Sequence, residues 1–171
     1  MKSMTVQNLA QTWHRHLPVL MVLAGAMPLS IAYYSQLVQG YDPCILCLYQ
    51  RIPFAVVIVL GFVGLMRPAW VPVLALLGGL TFVTGMSIAF YHVGVEQHWW
   101  ASAASCGGGL PEQMSITDFQ KQLMVKPEKA CDEVDWTLFG ISMATYNVVY
   151  SFSGAVVLFF GGAKLKKAEQ G

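Results

Sequence analysis

Four long apolar stretches, interrupted only by Arg51, restrict the fold of this 171-residue chain more than any other feature. About 20 helical residues cross the ~30 Å hydrocarbon core of a bilayer, and each stretch is long enough to do so. None shows the short alternating segments of a membrane barrel. We therefore predict an all-α membrane protein, a four-transmembrane-helix bundle forming one domain over residues 1–171. The predicted spans are residues 17–39, 44–66, 69–91 and 137–162, with outer loops at 40–43 and, between helices 3 and 4, at 92–136.

The composition agrees with a membrane protein and excludes several other classes. Hydrophobic residues make up 56% of the chain and charged residues only 11%, whereas soluble domains carry about 25% charged residues. Such a composition excludes intrinsic disorder, a coiled coil and a water-soluble single domain. The net charge of +1 comes with no large basic patch, so nucleic acid is not an expected partner.

Basic residues are distributed unequally between the two sides of the predicted bundle. The side of the termini carries Lys2, Arg15, Arg67, Lys164, Lys166 and Lys167, and the side of the outer loops carries Lys121, Lys126 and Lys129. Because basic residues are retained in the cytoplasm, we expect both termini to be cytoplasmic. In a bacterium this describes a multi-pass protein of the inner membrane whose loops face the periplasm.

All four cysteines of the chain fall on the outer side of the predicted bundle. They are Cys44, Cys47, Cys106 and Cys131. An even number of cysteines in an oxidising compartment indicates disulfides, and three pairings are possible. The sequence pattern alone leaves the pairing open.

Cys44 and Cys47 form a CxxC motif at the start of the second span. A disulfide across so small a ring gains little loop-closure entropy, so the pair is better suited to exchange than to stabilisation. We expect Asp42 to cap the helix and Pro43 to be its first residue, which places both cysteines in the first turn. There the helix dipole and free N–H groups favour the thiolate, the species that performs exchange.

Arg51 follows Cys47 by four residues and Cys44 by seven, so the three residues share one helix face. A cation at this position can lower the pKa of a cysteine and donate to a carbonyl oxygen of a bound ligand. The alternative is an arginine that extends to the interface and only anchors the helix.

Cys106 and Cys131 lie 25 positions apart in the long loop. Joined to each other, they form either a structural disulfide or the second pair of a redox relay. A metal site is not predicted, because the second pair is not a CxxC and the six-residue spacing of His92 and His98 fits no common ligand pattern. His92 itself is expected at the outer end of the third span, as an interfacial histidine.

The segment from Pro43 to Arg51, PCILCLYQR, resembles the redox segment of the disulfide bond formation protein B (DsbB) family. The four spans, the short first outer loop and the long second loop with two cysteines are similar to that family's layout. Trp136 and the Phe139-Gly140 pair at the start of span four add a local match.

The resemblance implies a membrane thiol–disulfide oxidoreductase that reoxidises a periplasmic thioredoxin-like dithiol oxidase and passes the electrons to membrane quinone, either ubiquinone or menaquinone. It implies that the partner attacks a Cys106–Cys131 disulfide and forms a mixed disulfide with Cys106. Cys131 would then join Cys44 and release Cys47 as the thiolate that donates electrons.

In the same scheme Arg51 holds and polarises the quinone, and His92 lines the same pocket. A rival interpretation is a quinone reductase like vitamin K epoxide reductase, but its CxxC is expected in a late span rather than in span two. Further rivals are a non-catalytic membrane protein with a disulfide-stapled loop and a copper carrier, although the 9 methionines form no MxxM cluster.

Overall fold

The computed structural model describes residues 2–101, 130–134 and 136–170. Helix α1 spans Lys2–Leu37, α2 spans Ile45–Met66, α3 spans Val71–Glu96 and α4 spans Met143–Gln170. A 3₁₀ turn, Pro68–Trp70, joins α2 to α3. Two short strands, β1 at Thr137–Leu138 and β2 at Ile141–Ser142, precede α4.

Four helices are long and apolar enough to cross a bilayer, which confirms the predicted all-α membrane fold. Their membrane-crossing parts are Thr12–Leu37, Ile45–Met66, Pro68–Glu96 and Met143–Ala168. The third helix continues beyond residue 91, the predicted end of its span. His92 and Glu96 are therefore helical residues rather than members of the outer loop.

The fourth helix begins at Met143 instead of at residue 137, because residues 137–142 form a hairpin. Leu138 pairs with Ile141 across a two-residue turn. Phe139 and Gly140 have φ angles of 53° and 78°, the left-handed conformation that two-residue hairpin turns require. Ser142 then ends the hairpin and caps the helix, since its Oγ accepts the Thr145 N–H at 3.3 Å.

The helices pack chiefly as two pairs, α1 with α2 and α3 with α4, and the pairs join through α2 and α3. Glycines allow the close approach of α1 and α2. A Cβ atom at Gly25 would lie 2.5 Å from the Phe54 carbonyl oxygen, and one at Gly61 would lie 2.9 Å from the Pro18 carbonyl oxygen. Small residues of this kind bring helix backbones together in membranes, where packing replaces the hydrophobic effect.

An aromatic cluster joins three helices at the centre of the bundle. Phe54, Phe82 and Tyr150 meet edge to face, with ring centroids 6.0–6.3 Å apart. The Tyr150 hydroxyl donates to the Ala24 carbonyl at 2.8 Å, which ties α4 to α1. Many large apolar side chains point outward instead, among them Leu23, Phe62 and Phe152, as expected where the solvent is lipid.

Substitution of Gly25 by alanine tests the packing of α1 on α2. The added methyl group meets the α2 backbone, which cannot rotate away, so we expect Gly25→Ala to destabilise the fold by about 1–3 kcal/mol. At Gly64 the nearest atoms are those of the Pro18 side chain at 3.2 Å, so Gly64→Ala serves as the milder control. Thermal unfolding in detergent measures both, and equal midpoints for the two variants would contradict this account of the interface.

Candidate active site

Cys44 occupies the N-cap position of α2. Its backbone is extended, with ψ at 167°, and its Sγ accepts the Cys47 N–H at 3.3 Å. The prediction that Asp42 caps the helix and Pro43 opens it is therefore wrong by two residues. An extended residue cannot belong to the first turn, and the Cys44 sulfur takes the acceptor role that the Asp42 carboxylate was expected to play.

The two sulfurs of the CxxC motif lie side by side at the start of α2. Cys44 Sγ and Cys47 Sγ are 3.1 Å apart, a hydrogen-bond distance that exceeds the ~2.05 Å of a disulfide bond. Cys44 donates its proton to Cys47 in this arrangement. The structure thus shows the dithiol form of the pair.

Cys131, which precedes α4, lies beside the CxxC motif. It is 1% exposed and packs in one cluster with Cys44, Leu46 and Val95, with Cys47 against the edge of that cluster. Cys106 lies outside the described residues. The structure therefore brings together three of the four cysteines that the sequence singled out.

His92 reaches the cysteine pair from α3 and is 3% exposed. Its Nε2 is 3.6 Å from Cys44 Sγ, and its ring also interacts with the backbone of Cys131. The histidine is buried beside the cysteines and also lines the cavity next to them.

A buried chain of amides holds the His92 ring. Gln50 Nε2 contacts His92 Nδ1 at 2.7 Å, Gln50 Oε1 accepts from Asn147 Nδ2, and Asn147 Oδ1 accepts from Ser151 Oγ at 2.8 Å. Since the Gln50 oxygen is engaged by Asn147, its NH₂ group donates to Nδ1. The ring proton then sits on Nε2, which faces Cys44.

Glu96 lies one turn beyond His92 at the end of α3. Its Oε1 is 3.8 Å from His92 Nε2, and its side chain is 6% exposed. Within the described part of the chain, its Oε2 is buried and has no hydrogen-bond partner. A buried carboxylate with an unsatisfied oxygen carries a free-energy cost that a bound partner for that oxygen would remove.

Arg51 is held by α1 rather than by the cysteines. Its Nη1 donates to Gln36 Oε1 at 2.7 Å, and its guanidinium carbon lies 4.8 Å from the Tyr33 ring centroid. The half-buried side chain nevertheless lines the same cavity as Cys44 and Cys47. The contact with the Tyr33 ring is at a cation–π distance and helps to hold the guanidinium at the cavity wall.

A cavity of about 580 Å³ opens between α1, α2 and α4 and is lined by four of the predicted site residues, Cys44, Cys47, Arg51 and His92, whereas Cys131 is not among its lining residues. Its walls are mostly apolar, with contributions such as Ile31, Phe54 and Val149. A few polar groups converge on it, including Arg51, His92 and the two α2 cysteines. This combination is typical of a binding site for a small, largely apolar ligand.

The expectation that the start of α2 favours the thiolate in the CxxC motif does not hold for Cys44. Its hydrogen bond to Cys47, followed by burial, raises the pKa of the Cys44 thiol to about 12, and His92 opposes this only in part. The hydrogen bond to the neighbouring sulfur and the loss of water therefore disfavour the Cys44 thiolate at this helix N-terminus.

Several residues of the site could not be found from sequence patterns. Gln50 contacts a histidine 42 positions away and an asparagine 97 positions away. Glu96 falls within residues 92–136, the predicted outer loop, although it belongs to α3. No local spacing connects these residues, and only a polar residue inside an apolar span, such as Asn147, gives a signal.

Comparison with known proteins points to the family that the segment from Pro43 to Arg51 resembles. The family model described as "Disulfide bond formation protein DsbB" matches residues 14–161. A disulfide bond formation protein B from Xanthomonas axonopodis pv. citri is 31% identical over 85% of this chain and 88% of its own length. Proteins of the same name from Xanthomonas campestris pv. campestris and Acinetobacter baumannii are 32% and 29% identical, over 83% and 77% of this chain and 86% and 80% of their own lengths.

The hydrogen bond between the two α2 sulfurs can be tested through the pKa of Cys44. Cys47→Ala removes the largest cause of the raised pKa, so the value should fall from about 12 toward 9.0, the ordinary cysteine value. Burial continues to raise it, so it should stay above 9.0. Because the thiolate is the reactive form, the midpoint of the alkylation rate of Cys44 against pH should move to lower pH.

The measurement uses a Cys106→Ser, Cys131→Ser background, with alkylation at Cys44 resolved by peptide mass spectrometry. The same background with Cys47 intact is the control. An unchanged midpoint after Cys47→Ala would show that the neighbouring sulfur does not set the titration of Cys44.

Proposed function

The chain belongs to the DsbB family of disulfide bond formation membrane proteins, and from this membership we propose that it oxidises the dithiol of a thioredoxin-like partner and transfers the electrons to a membrane quinone. The observation that carries the proposal is the meeting of Cys44, Cys47 and Cys131 beside a cavity that also contains Arg51 and His92. The family match and the early position of the CxxC motif both speak against a vitamin K epoxide reductase-like enzyme.

Exchange begins at the pair formed by Cys106 and Cys131. A partner thiolate attacks Cys106, the Cys106–Cys131 bond breaks, and Cys131 leaves as a thiolate. The Cys131 sulfur then attacks Cys44 of an oxidised Cys44–Cys47 pair, which forms a Cys131–Cys44 bond and releases Cys47. The buried packing of Cys131 against Cys44 supports this step, because the two residues already occupy one cluster.

The cycle closes when the second partner thiol releases Cys106. Cys106 then re-forms its bond with Cys131, and Cys44 is freed as a thiol. Two electrons have moved from the partner's dithiol to the Cys44–Cys47 pair, and the partner leaves with a disulfide.

The environment of Cys44 favours attack at this sulfur over attack at Cys47. Cys131 and Cys44 are both buried in one cluster, whereas Cys47 packs only against the edge of that cluster. Attack at Cys47 would expel Cys44, whereas attack at Cys44 expels Cys47. The asymmetry therefore supports Cys47 as the sulfur that becomes free next to the cavity.

The cavity residues fit a quinone. Apolar walls suit its ring and tail, and Arg51 offers N–H groups to a carbonyl oxygen inside a low-dielectric site. A bound quinone would supply an acceptor for two electrons and two protons. His92 Nε2, at 3.6 Å from Cys44 Sγ, is placed to exchange a proton with that sulfur.

We also propose that the protein resides in a bacterial inner membrane with both termini in the cytoplasm. The excess of basic residues at the ends of α1 and α4 and in the α2–α3 turn supports this orientation. It places the mouth of the site in the periplasm, where a soluble partner meets it.

Turnover with a reduced thioredoxin-fold partner and quinone tests the electron path. Cys47→Ser should abolish quinone reduction, because no sulfur remains to complete the pair. Arg51→Ala should raise the KM for quinone about tenfold or more, the equivalent of one lost charged hydrogen bond. Mixed-disulfide formation at Cys106 should stay intact in the Arg51 variant.

Arg67→Ala is the matched control, since Arg67 lies at the opposite end of α2 and is exposed. It should leave both steps unchanged. Wild-type quinone reduction by the Cys47→Ser protein would overturn the proposed path.

Labelling tests the orientation separately. After reduction, a chain that retains Cys106 as its single cysteine should react with an impermeant maleimide in spheroplasts whose inner membrane is intact. A chain with Lys166→Cys as its single cysteine should react only after the membrane is opened. The reverse pattern would place the redox site on the cytoplasmic side.

A further inference from the structure

We propose that the reduced site binds one thiophilic divalent cation of the Zn²⁺ class, with Cys44, Cys47 and His92 as ligands and Glu96 as the fourth. This inference concerns metal binding by the dithiol form. It does not depend on quinone or on a protein partner, so it stands or falls separately from the proposed function.

The ligand atoms of Cys44, Cys47 and His92 already have nearly the separations that tetrahedral coordination of an ion requires. Cys44 Sγ is 3.1 Å from Cys47 Sγ and 3.6 Å from His92 Nε2, and all three ligand atoms lie within 4.8 Å of one another. Zinc–sulfur and zinc–nitrogen bonds of about 2.3 and 2.0–2.1 Å imply S–S and S–N separations of roughly 3.8 and 3.5 Å. A small rotation of one cysteine side chain makes up the difference.

Glu96 supplies the observation that points to a missing ligand. Its side chain is 6% exposed and its Oε1 lies 3.8 Å from His92 Nε2, while Oε2 has no partner among the residues described. A cation shared with His92 and the cysteines would satisfy that oxygen and neutralise the buried charge. Two thiolates, an imidazole and a carboxylate form a donor set that zinc accepts.

The amide chain behind His92 can adapt to metal binding. Coordination by Nε2 requires the ring proton to sit on Nδ1, where an oxygen must accept it. Rotation of the Gln50 amide turns its oxygen to Nδ1, the Asn147 amide can rotate with it, and the Ser151 hydroxyl can donate or accept. The chain therefore remains fully hydrogen-bonded with either histidine tautomer.

The charges at the cavity also favour cation entry. Its lining holds the carboxylates of Asp42, Glu96 and Glu133 against the single guanidinium of Arg51, and an excess of acidic groups raises the local concentration of cations. Binding displaces the two thiol protons to solvent. Because the thiolate is both the nucleophile and the metal ligand, a bound ion would block exchange at this pair, and the disulfide form would not bind it.

Titration of the purified protein with Co²⁺ and Cd²⁺ tests the site directly. A Cys106→Ser, Cys131→Ser background leaves only the two proposed cysteine ligands. After reduction we expect one ion per chain, with thiolate-to-metal absorption that Zn²⁺ displaces. The protein oxidised at Cys44–Cys47 should show no such absorption.

Variants of the other two ligands locate the ion. His92→Ala and the nearly isosteric Glu96→Gln should each weaken binding at least about tenfold, a loss of 1.4 kcal/mol. His98→Ala, which alters an exposed histidine near the end of α3, is the matched control and should bind as the background does. Unfolding midpoints show whether each variant retains its fold.

Absence of thiolate-to-metal absorption in the reduced background would overturn the proposal. The proposal would also be overturned if the Glu96→Gln variant and the His92→Ala variant each bound the ion with unaltered affinity, because the ion would then be held by the cysteines alone.

Discussion

The buried hydrogen-bonded chain from Ser151 through Asn147 and Gln50 to His92 is the interaction on which the site depends. It joins α4, α2 and α3 inside an apolar bundle, where each unsatisfied polar group would be costly. Because each member has a partner, the chain orients the imidazole toward Cys44 and fixes the separation of the three helices at that level. Loss of one amide would leave its neighbours unsatisfied as well as releasing the histidine.

The fold was largely predictable because lipid imposes a simple requirement of about 20 apolar residues for each span. The errors occurred at the helix ends, where that requirement no longer applies. Residues 137–142 are similar in apolar character to the membrane-spanning helix that follows them. Their turn uses Phe139-Gly140 instead of the usual Asn-Gly or Asp-Gly signal. At the end of α3 the charge of Glu96 indicated a loop, whereas the helix continues and buries that charge beside His92.

The chemistry of the site was predictable only where it is local in sequence. The CxxC motif and Arg51 lie within two helical turns, and the structure places all three on one cavity. The partners that set their properties come from other helices. Gln36 and Tyr33 of α1 hold Arg51, and the direction of the Cys44 pKa follows from a sulfur–sulfur hydrogen bond and from burial.

The buried side chains that stabilise the fold and the cysteines that exchange disulfides lie toward opposite ends of the bundle. At the end that holds both termini, side chains such as Leu17, Val71 and Leu165 are buried between the helices, beside a groove lined by Arg15 and Pro68. At the opposite end the helices leave a cavity, and the buried cluster there contains Cys44 and Cys131. A core packed at both ends would be more stable but would give a second disulfide and an apolar ligand no access to the sulfurs. The close helix contacts at the packed end and centre therefore compensate for the open space that the cysteine chemistry requires.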